Sequence, residues 1–168
     1  KDADKIFRTG ADKIIINSQY YVDKNFIRRL VEKYGSQSII FSLDVDYDGK
    51  DYNTYSNSGM KKQKLSYLDT VDSVSNLGVG EIIVNCIHKD GKMDGYDLSL
   101  ISNISKKTNK PLILLGGCSS KKDFRLAYEN GANALAASSI FHWIGESIIT
   151  IKRYMMSHGI PVRVSNYD

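Results

Sequence analysis

Two cysteines, Cys86 and Cys118, are all that the 168 residues contain. That is too few for a disulfide framework, and no cysteine or histidine spacing resembles a zinc site. Neither a metal nor a cofactor is expected, and a reducing, cytoplasmic compartment is the simplest reading. Long apolar runs are also missing. None approaches the ~18 residues of a membrane span, so no membrane partner is expected. The opening Lys1, Asp2, Asp4 and Lys5 is charged, which is not how a signal peptide begins. A concentrated positive charge is lacking as well. The net +4 suits an anionic ligand, but the basic residues are scattered among acids, which argues against nucleic acid.

What is present is ordinary globular composition, 42% hydrophobic, and enough chain for one domain with a core. The sequence starts without Met, on what reads as the end of a helix (Ala3 to Thr9, then Gly10). Residues 1–168 are therefore expected to be the C-terminal part of a single longer domain. Five apolar runs read as strands: Lys13–Asn17, Ile39–Asp44, Glu81–Asn85, Leu112–Gly116 and Ala134–Ser138. They lack strict alternation, as strands covered on both faces do.

Helical patterns lie between them. Phe26, Ile27, Leu30, Val31 and Tyr34 form one apolar stripe, with Gly35 as its stop. Ser66 with Asp69, and Ser120 with Asp123, have the spacing of capping boxes. A further helix begins near Asp97, and the last ends at Gly159. Regular β-α alternation predicts a parallel sheet in an α/β fold. An open doubly wound sheet and a closed (β/α)8 barrel both satisfy it. The strands finish on polar or glycine residues (Asn17-Ser18, Asp44, Asn85, Gly116-Gly117, Ser138-Ser139), and a barrel gathers its functional groups at that rim. Residues 10–18 also echo residues 131–139, four β-α units apart, as two duplicated half-barrels would. The longest connection, Val45 to Lys64, carries an Asp48-Gly49 turn signal and predicts a small hairpin or flap over the rim.

Chemistry is expected at the strand ends. Gly116-Gly117, after a strand and before a capped helix, lets backbone N–H groups approach an anion with no Cβ in the way. Ser138-Ser139 ends the next strand, and the two adjacent loops together point to phosphate binding. Asp44 follows five largely apolar residues, a desolvated setting that suits general acid/base work or an Asp that caps a loop. Asp90-Gly91 is either a plain turn or a rim carboxylate. His142, beside Trp143, is expected to pack, and His158 to decorate a helix C-terminus. Both cysteines read as buried thiols. Lys13 and Glu81 stand at strand starts, where charge serves stability or a partner.

These segments, taken in order, resemble one family. The residues are 10–18, Tyr34-Gly35-Ser36-Gln37, Asp90-Gly91 with Gly95-Tyr96-Asp97, Gly116-Gly117 and Ala136 to His142. The resemblance is to the cyclase subunit of imidazole glycerol phosphate synthase, over nearly the whole chain. It implies a (β/α)8 barrel of which this chain supplies the end of helix 3 through helix 8. It also implies a glutaminase partner whose ammonia rises through the barrel. At the rim that ammonia attacks a phosphoribulosyl formimino ribotide (PRFAR) to give imidazole glycerol phosphate and an aminoimidazole carboxamide ribotide. By the same resemblance Asp44 is one of two acid/base aspartates, the other lying outside this chain. Asn17 and Ser18 belong to one phosphate site, and Gly91, Gly117, Ser138 and Ser139 to the other. Asp90 is a rim carboxylate, Lys13 and Glu81 gate ammonia entry, and Asp12 touches the glutaminase.

The chain departs from the family pattern at four rim positions. Asp46 replaces a Lys, His88 an Asp, Asn85 a Thr and Leu115 a Ser. An anion in place of a cation changes the field near a doubly phosphorylated substrate. A paralogous group, associated with amidination of surface-polysaccharide sugars, fits the altered rim. A non-catalytic phosphate-binding scaffold is the third possibility. Taken alone, the 168 residues are expected to be inactive and to self-associate through open sheet edges.

Overall fold

The structure, a computed structural model, describes residues 2–163; Lys1 of the charged opening lies outside them. A first helix, α1 (Asp2–Arg8), leads through Gly10 into β1 (Ile14–Ile16), the short α2 (Ser18–Val22) and α3 (Asn25–Tyr34). Next come β2 (Ile39–Tyr47), a hairpin of β3 (Tyr52–Ser56) and β4 (Lys61–Lys62), and α4 (Tyr67–Asn76). The remaining units are β5 (Glu81–Cys86) with α5 (Leu98–Ser105), β6 (Leu112–Leu115) with α6 (Lys121–Glu129), and β7 (Ala134–Ala136) with α7 (Ser139–Trp143) and α8 (Ile148–Ser157). No helix among the described residues is long and apolar enough to cross a membrane.

The five expected strands form a parallel sheet in the order β1-β2-β5-β6-β7. Its two faces differ. Phe41, Leu43, Val45, Ile82, Val84 and Leu114 alternate along the strands and are fully buried, because α3 to α6 supply their apolar sides (Ile27, Val71, Val74, Leu100, Ile101, Phe124) to this face. The other face carries Lys13, Ile15, Ser42, Asp44, Asp46, Ile83, Asn85 and Leu115 and is only partly covered, Ile15 being 58% exposed. Coverage of the strands on both faces was the expectation. Among the described residues it holds throughout only on the helix face, where α3 to α6 pack. Helices on one face and polar strand ends on the other belong to a (β/α)8 barrel wall, not to a doubly wound sheet.

The expected strand boundary that moves furthest is the end of β2. It runs three residues past Asp44, because β3 pairs with it antiparallel (Asp44 with Tyr55 through Tyr47 with Tyr52). On the same edge of β2, β1 pairs only with Ile39 to Phe41. The hairpin thus takes over the edge above β1 and becomes the expected flap. The turn from β2 into β3 is built by Asp48, whose carboxylate accepts the amides of Lys50 (3.0 Å) and Asp51 (2.9 Å) and the side-chain amide of Asn53 (2.7 Å).

Local capping follows the sequence closely. Ser66 Oγ accepts the Asp69 amide, and Ser120 with Asp123 forms a reciprocal box. The echo is structural too. Residues 10–18 and 131–139 each fold as a glycine at positive φ (98° and 106°), a three-residue strand, and an entry into a five-residue helix. One expectation fails at the second copy. His142 and Trp143 do not pack; both are exposed, Trp143 at 81%, because α7 is a single short turn that buries only Ile140. His158 sits at the C-cap of α8, its Nδ1 2.8 Å from the Tyr154 carbonyl, as expected.

Candidate functional site

The inner face of the sheet carries a ladder of polar groups from the strand starts to the strand ends. At the foot, Lys13 and Glu81 form an ion pair that reaches across β2. Asp12 lies exposed in the turn before β1 at this same end. Higher on the same face, past Ile15, Asn17 Nδ2 donates to the Ser42 carbonyl at 2.9 Å. Asp44 is 9% exposed and faces Asn85, its register partner on β5, whose Nδ2 donates to Asp44 Oδ1 at 3.0 Å. Ser42 Oγ lies 3.4 Å from the same oxygen. Strand alternation turns Asp46 to this face as well.

Further polar groups flank the aspartates at both edges. At the β1 edge, Ser18 Oγ donates to Asn17 Oδ1 (2.9 Å) and accepts the amide of Asn57 in the flap (2.9 Å), so the hairpin is tied to the end of β1. At the opposite edge, Asp90, Gly91, Gly116, Gly117, Ser138 and Ser139 line one cleft. The structure therefore brings six of the expected residues together there. It leaves Asn17 and Ser18 at the other edge and Asp12, Lys13 and Glu81 at the foot.

The glycine pair has a second reason to be glycine. Gly116 and Gly117 have φ of 104° and 96°. A Cβ on Gly116 would stand 2.7 Å from the Cys86 carbonyl oxygen, and one on Gly117 2.4 Å from that of Gly95. Gly95 N–H donates to the Gly117 carbonyl at 2.8 Å. The loop after β6 is thus pressed against the loop after β5 by backbone contact. On its far side, Asp123 Oδ2 accepts the amides of Ser119 and Ser120 at 2.9 Å each and the Ser119 hydroxyl at 2.8 Å, which winds the loop onto α6.

Sequence reasoning missed Tyr52 and half of what Asp97 does. Asp97 was expected only to start a helix, and its Oδ1 does accept the Leu100 amide at 2.9 Å. It also takes the Tyr52 hydroxyl at 2.9 Å on each oxygen and lies 3.1 Å from His88 Nε2. Burial first, and then Asp97, push the Tyr52 phenol upward, so it stays a donor. The sequence signal was the N-cap spacing alone; partners 45 and 9 residues away leave no periodic trace.

Both cysteines are buried and unpaired. Burial raises the Cys86 thiol to about 12 and the Cys118 thiol to about 11, which removes the thiolate at neutral pH. Reaction of the native protein with a thiol reagent at pH 8 is expected to run about a hundredfold slower than that of a free cysteine, and to become fast in urea. A rapid native burst would show an accessible thiolate.

Comparison with known proteins bears on what this ladder does. The family model for "Histidine biosynthesis protein" matches residues 1–144. The chain is 38% identical over 166 residues to the imidazole glycerol phosphate synthase subunit HisF of Dehalococcoides mccartyi, covering 98% of this chain and 66% of the relative. Over 168 residues it is 36% identical to the protein of that name from Clostridium botulinum (97% and 66%). For Pyrobaculum aerophilum the figure is 34% over 164 residues (98% and 65%). The chain spans about two thirds of the length of the curated relatives it matches.

Proposed function

The chain belongs to the histidine biosynthesis protein family, and from that premise we propose that it carries the catalytic rim of a cyclase that uses ammonia to close an imidazole ring. The substrate is PRFAR; the products are imidazole glycerol phosphate and the aminoimidazole carboxamide ribotide. The observation that carries this reading is the polar ladder on one face of the sheet, with the Lys13–Glu81 pair at its foot and Asp44 at its rim.

Each position has a chemical task. Lys13 and Glu81 close the foot of the wall by mutual attraction and open a polar entrance when they part, which suits a small neutral nucleophile. Asp12, exposed beside them, meets the glutaminase that produces the ammonia. At the rim the attacking nitrogen must shed protons. Asp44 accepts one and returns it to the leaving group, as a general base and then a general acid. Asn85 holds the carboxylate in place through Oδ1. The second acid/base aspartate belongs to a strand outside this chain. The two phosphates of the substrate fall at the two flanking groups of residues. Asn17 and Ser18 take one; Gly91, Gly116, Gly117, Ser138 and Ser139 take the other, with Asp90 at its border. Backbone N–H groups near an unencumbered glycine serve an anion well. Such a subunit works in the cytoplasm.

A second reading has its own observation. Asp46 and His88 depart from the cyclase pattern and stand within 4.0 Å of each other at the rim, which favours a paralogue that delivers ammonia for sugar amidination. The test is turnover of PRFAR by the full-length protein with excess ammonium and no glutaminase. Turnover is the expected result. No turnover, with glutaminase binding intact, would reject the cyclase in favour of the amidination paralogue.

A further inference from the structure

Four side chains from four segments form one array beside Asp44. Tyr52 on β3 donates to both oxygens of Asp97, which caps α5, and Asp97 Oδ2 faces His88 Nε2. Asp97 is 8% exposed and, with the Leu100 amide on Oδ1, its carboxylate is fixed in position. A carboxylate can only accept, so His88 must present Nε2–H to it. This fixes a proton on Nε2, as an orienting acid fixes one on a histidine in a triad.

The other ring nitrogen is the unusual one. His88 Nδ1 is buried without a hydrogen-bond partner among the described residues, and Asp46 Oδ1 lies 4.0 Å away. A proton on Nδ1 gives each ring nitrogen a carboxylate; without it a lone pair confronts an anion. Asp46 shares the inner face with Asp44 and keeps 35% of its side chain in solvent. Its carboxylate is therefore braced from behind by His88 and still open to a ligand. The groups facing the imidazole are these two aspartates from β2 and α5, the rings of Tyr47 from β2 and Tyr52 from β3 at 6.2 and 6.4 Å, and on its own segment Lys89, which is ion-paired to Asp94.

We propose that Asp46 is a specificity-determining residue, with His88 as its positioning partner: its carboxylate receives an N–H donor group, amidine or carboxamide, from the middle of a substrate whose anionic ends lie at the two flanking edges. An anion in the middle of the rim attracts such nitrogen groups and repels a phosphate. The assignment deepens the cyclase reading and rests on it for the identity of the substrate.

The test uses full-length protein and two readouts. Steady-state turnover of PRFAR with ammonium is compared for wild type, Asp46→Asn and Asp46→Glu, with inorganic phosphate as a competitive inhibitor. Loss of one charge-assisted hydrogen bond predicts a rise of about tenfold in KM for Asp46→Asn, a smaller change in kcat, partial rescue by Asp46→Glu, and an unchanged phosphate inhibition constant. In parallel, ring-nitrogen resonances of 15N-labelled histidine are expected to report a proton on both ring nitrogens of His88. Asp46→Asn should move its Nδ1 resonance, and Asp97→Asn its Nε2 resonance. An unmoved KM, or an Nδ1 resonance indifferent to Asp46→Asn, would overturn the proposal. If the wild-type protein does not turn over PRFAR, the cyclase reading fails on that count alone, and the resonances still decide whether His88 braces Asp46.

Discussion

Asp44→Asn in the full-length protein should reduce ammonium-dependent PRFAR turnover by roughly 10²- to 10⁴-fold, the usual contribution of a positioned general acid/base, while leaving the fold intact. The substitution is isosteric. Asparagine keeps an oxygen for Asn85 Nδ2 at the place where Asp44 Oδ1 now accepts it, and the site remains polar. What disappears is the capacity to take up and return a proton, because an amide is not basic near neutral pH. The loss should therefore fall on kcat, with the thermal midpoint close to that of wild type. Turnover within tenfold of wild type would remove Asp44 from the acid/base role. A large loss of stability would instead mean that the carboxylate serves chiefly as a structural acceptor at the end of β2.

Gly117→Ala should be strongly destabilising. Two costs coincide there. The backbone sits at φ +96°, and the new Cβ would lie 2.4 Å from the Gly95 carbonyl oxygen and 3.0 Å from Lys89 Cβ. The first obstacle is backbone, held by the Gly95–Gly117 hydrogen bond, so the loop after β6 must leave the loop after β5. A destabilisation of ~2–4 kcal/mol in urea unfolding is expected, combining left-handed strain with the forced separation. Affinity for phosphorylated ligands should fall by about a hundredfold as the cleft opens. Gly10→Ala is the matched control: its φ is +98° with no atom within 4 Å of the new Cβ, so only the conformational cost of ~1 kcal/mol remains. Equal losses in the two variants would show that the close approach of the loops is not restrictive.

The elements themselves were legible from short-range signals. Apolar runs bounded by glycine became the parallel strands, and the two Ser–Asp spacings became N-terminal caps. Asp48-Gly49 became the hairpin turn. The resemblance between residues 10–18 and 131–139 reappeared as two nearly identical strand-to-helix turns. Where sequence reading failed, a local pattern stood in for a tertiary one. An aromatic beside a histidine looks like core material, yet α7 is too short to bury both. An aspartate at the head of a helix looks like a cap and nothing more.

The sequence by itself determined the alternation of strands and helices, the caps and turns, and the concentration of Gly, Ser, Asn and Asp at strand ends. All of these depend on residues within about one helical turn of each other. Only the tertiary structure decided which face of the sheet the helices cover, and with it the choice between a barrel wall and an open sheet. It alone joined Lys13 to Glu81, Asp44 to Asn85, and Tyr52, Asp97, His88 and Asp46 into one array. Those partners come from different strands and loops. Their meeting is set by strand register and by how the loops stack, which a one-dimensional pattern does not record.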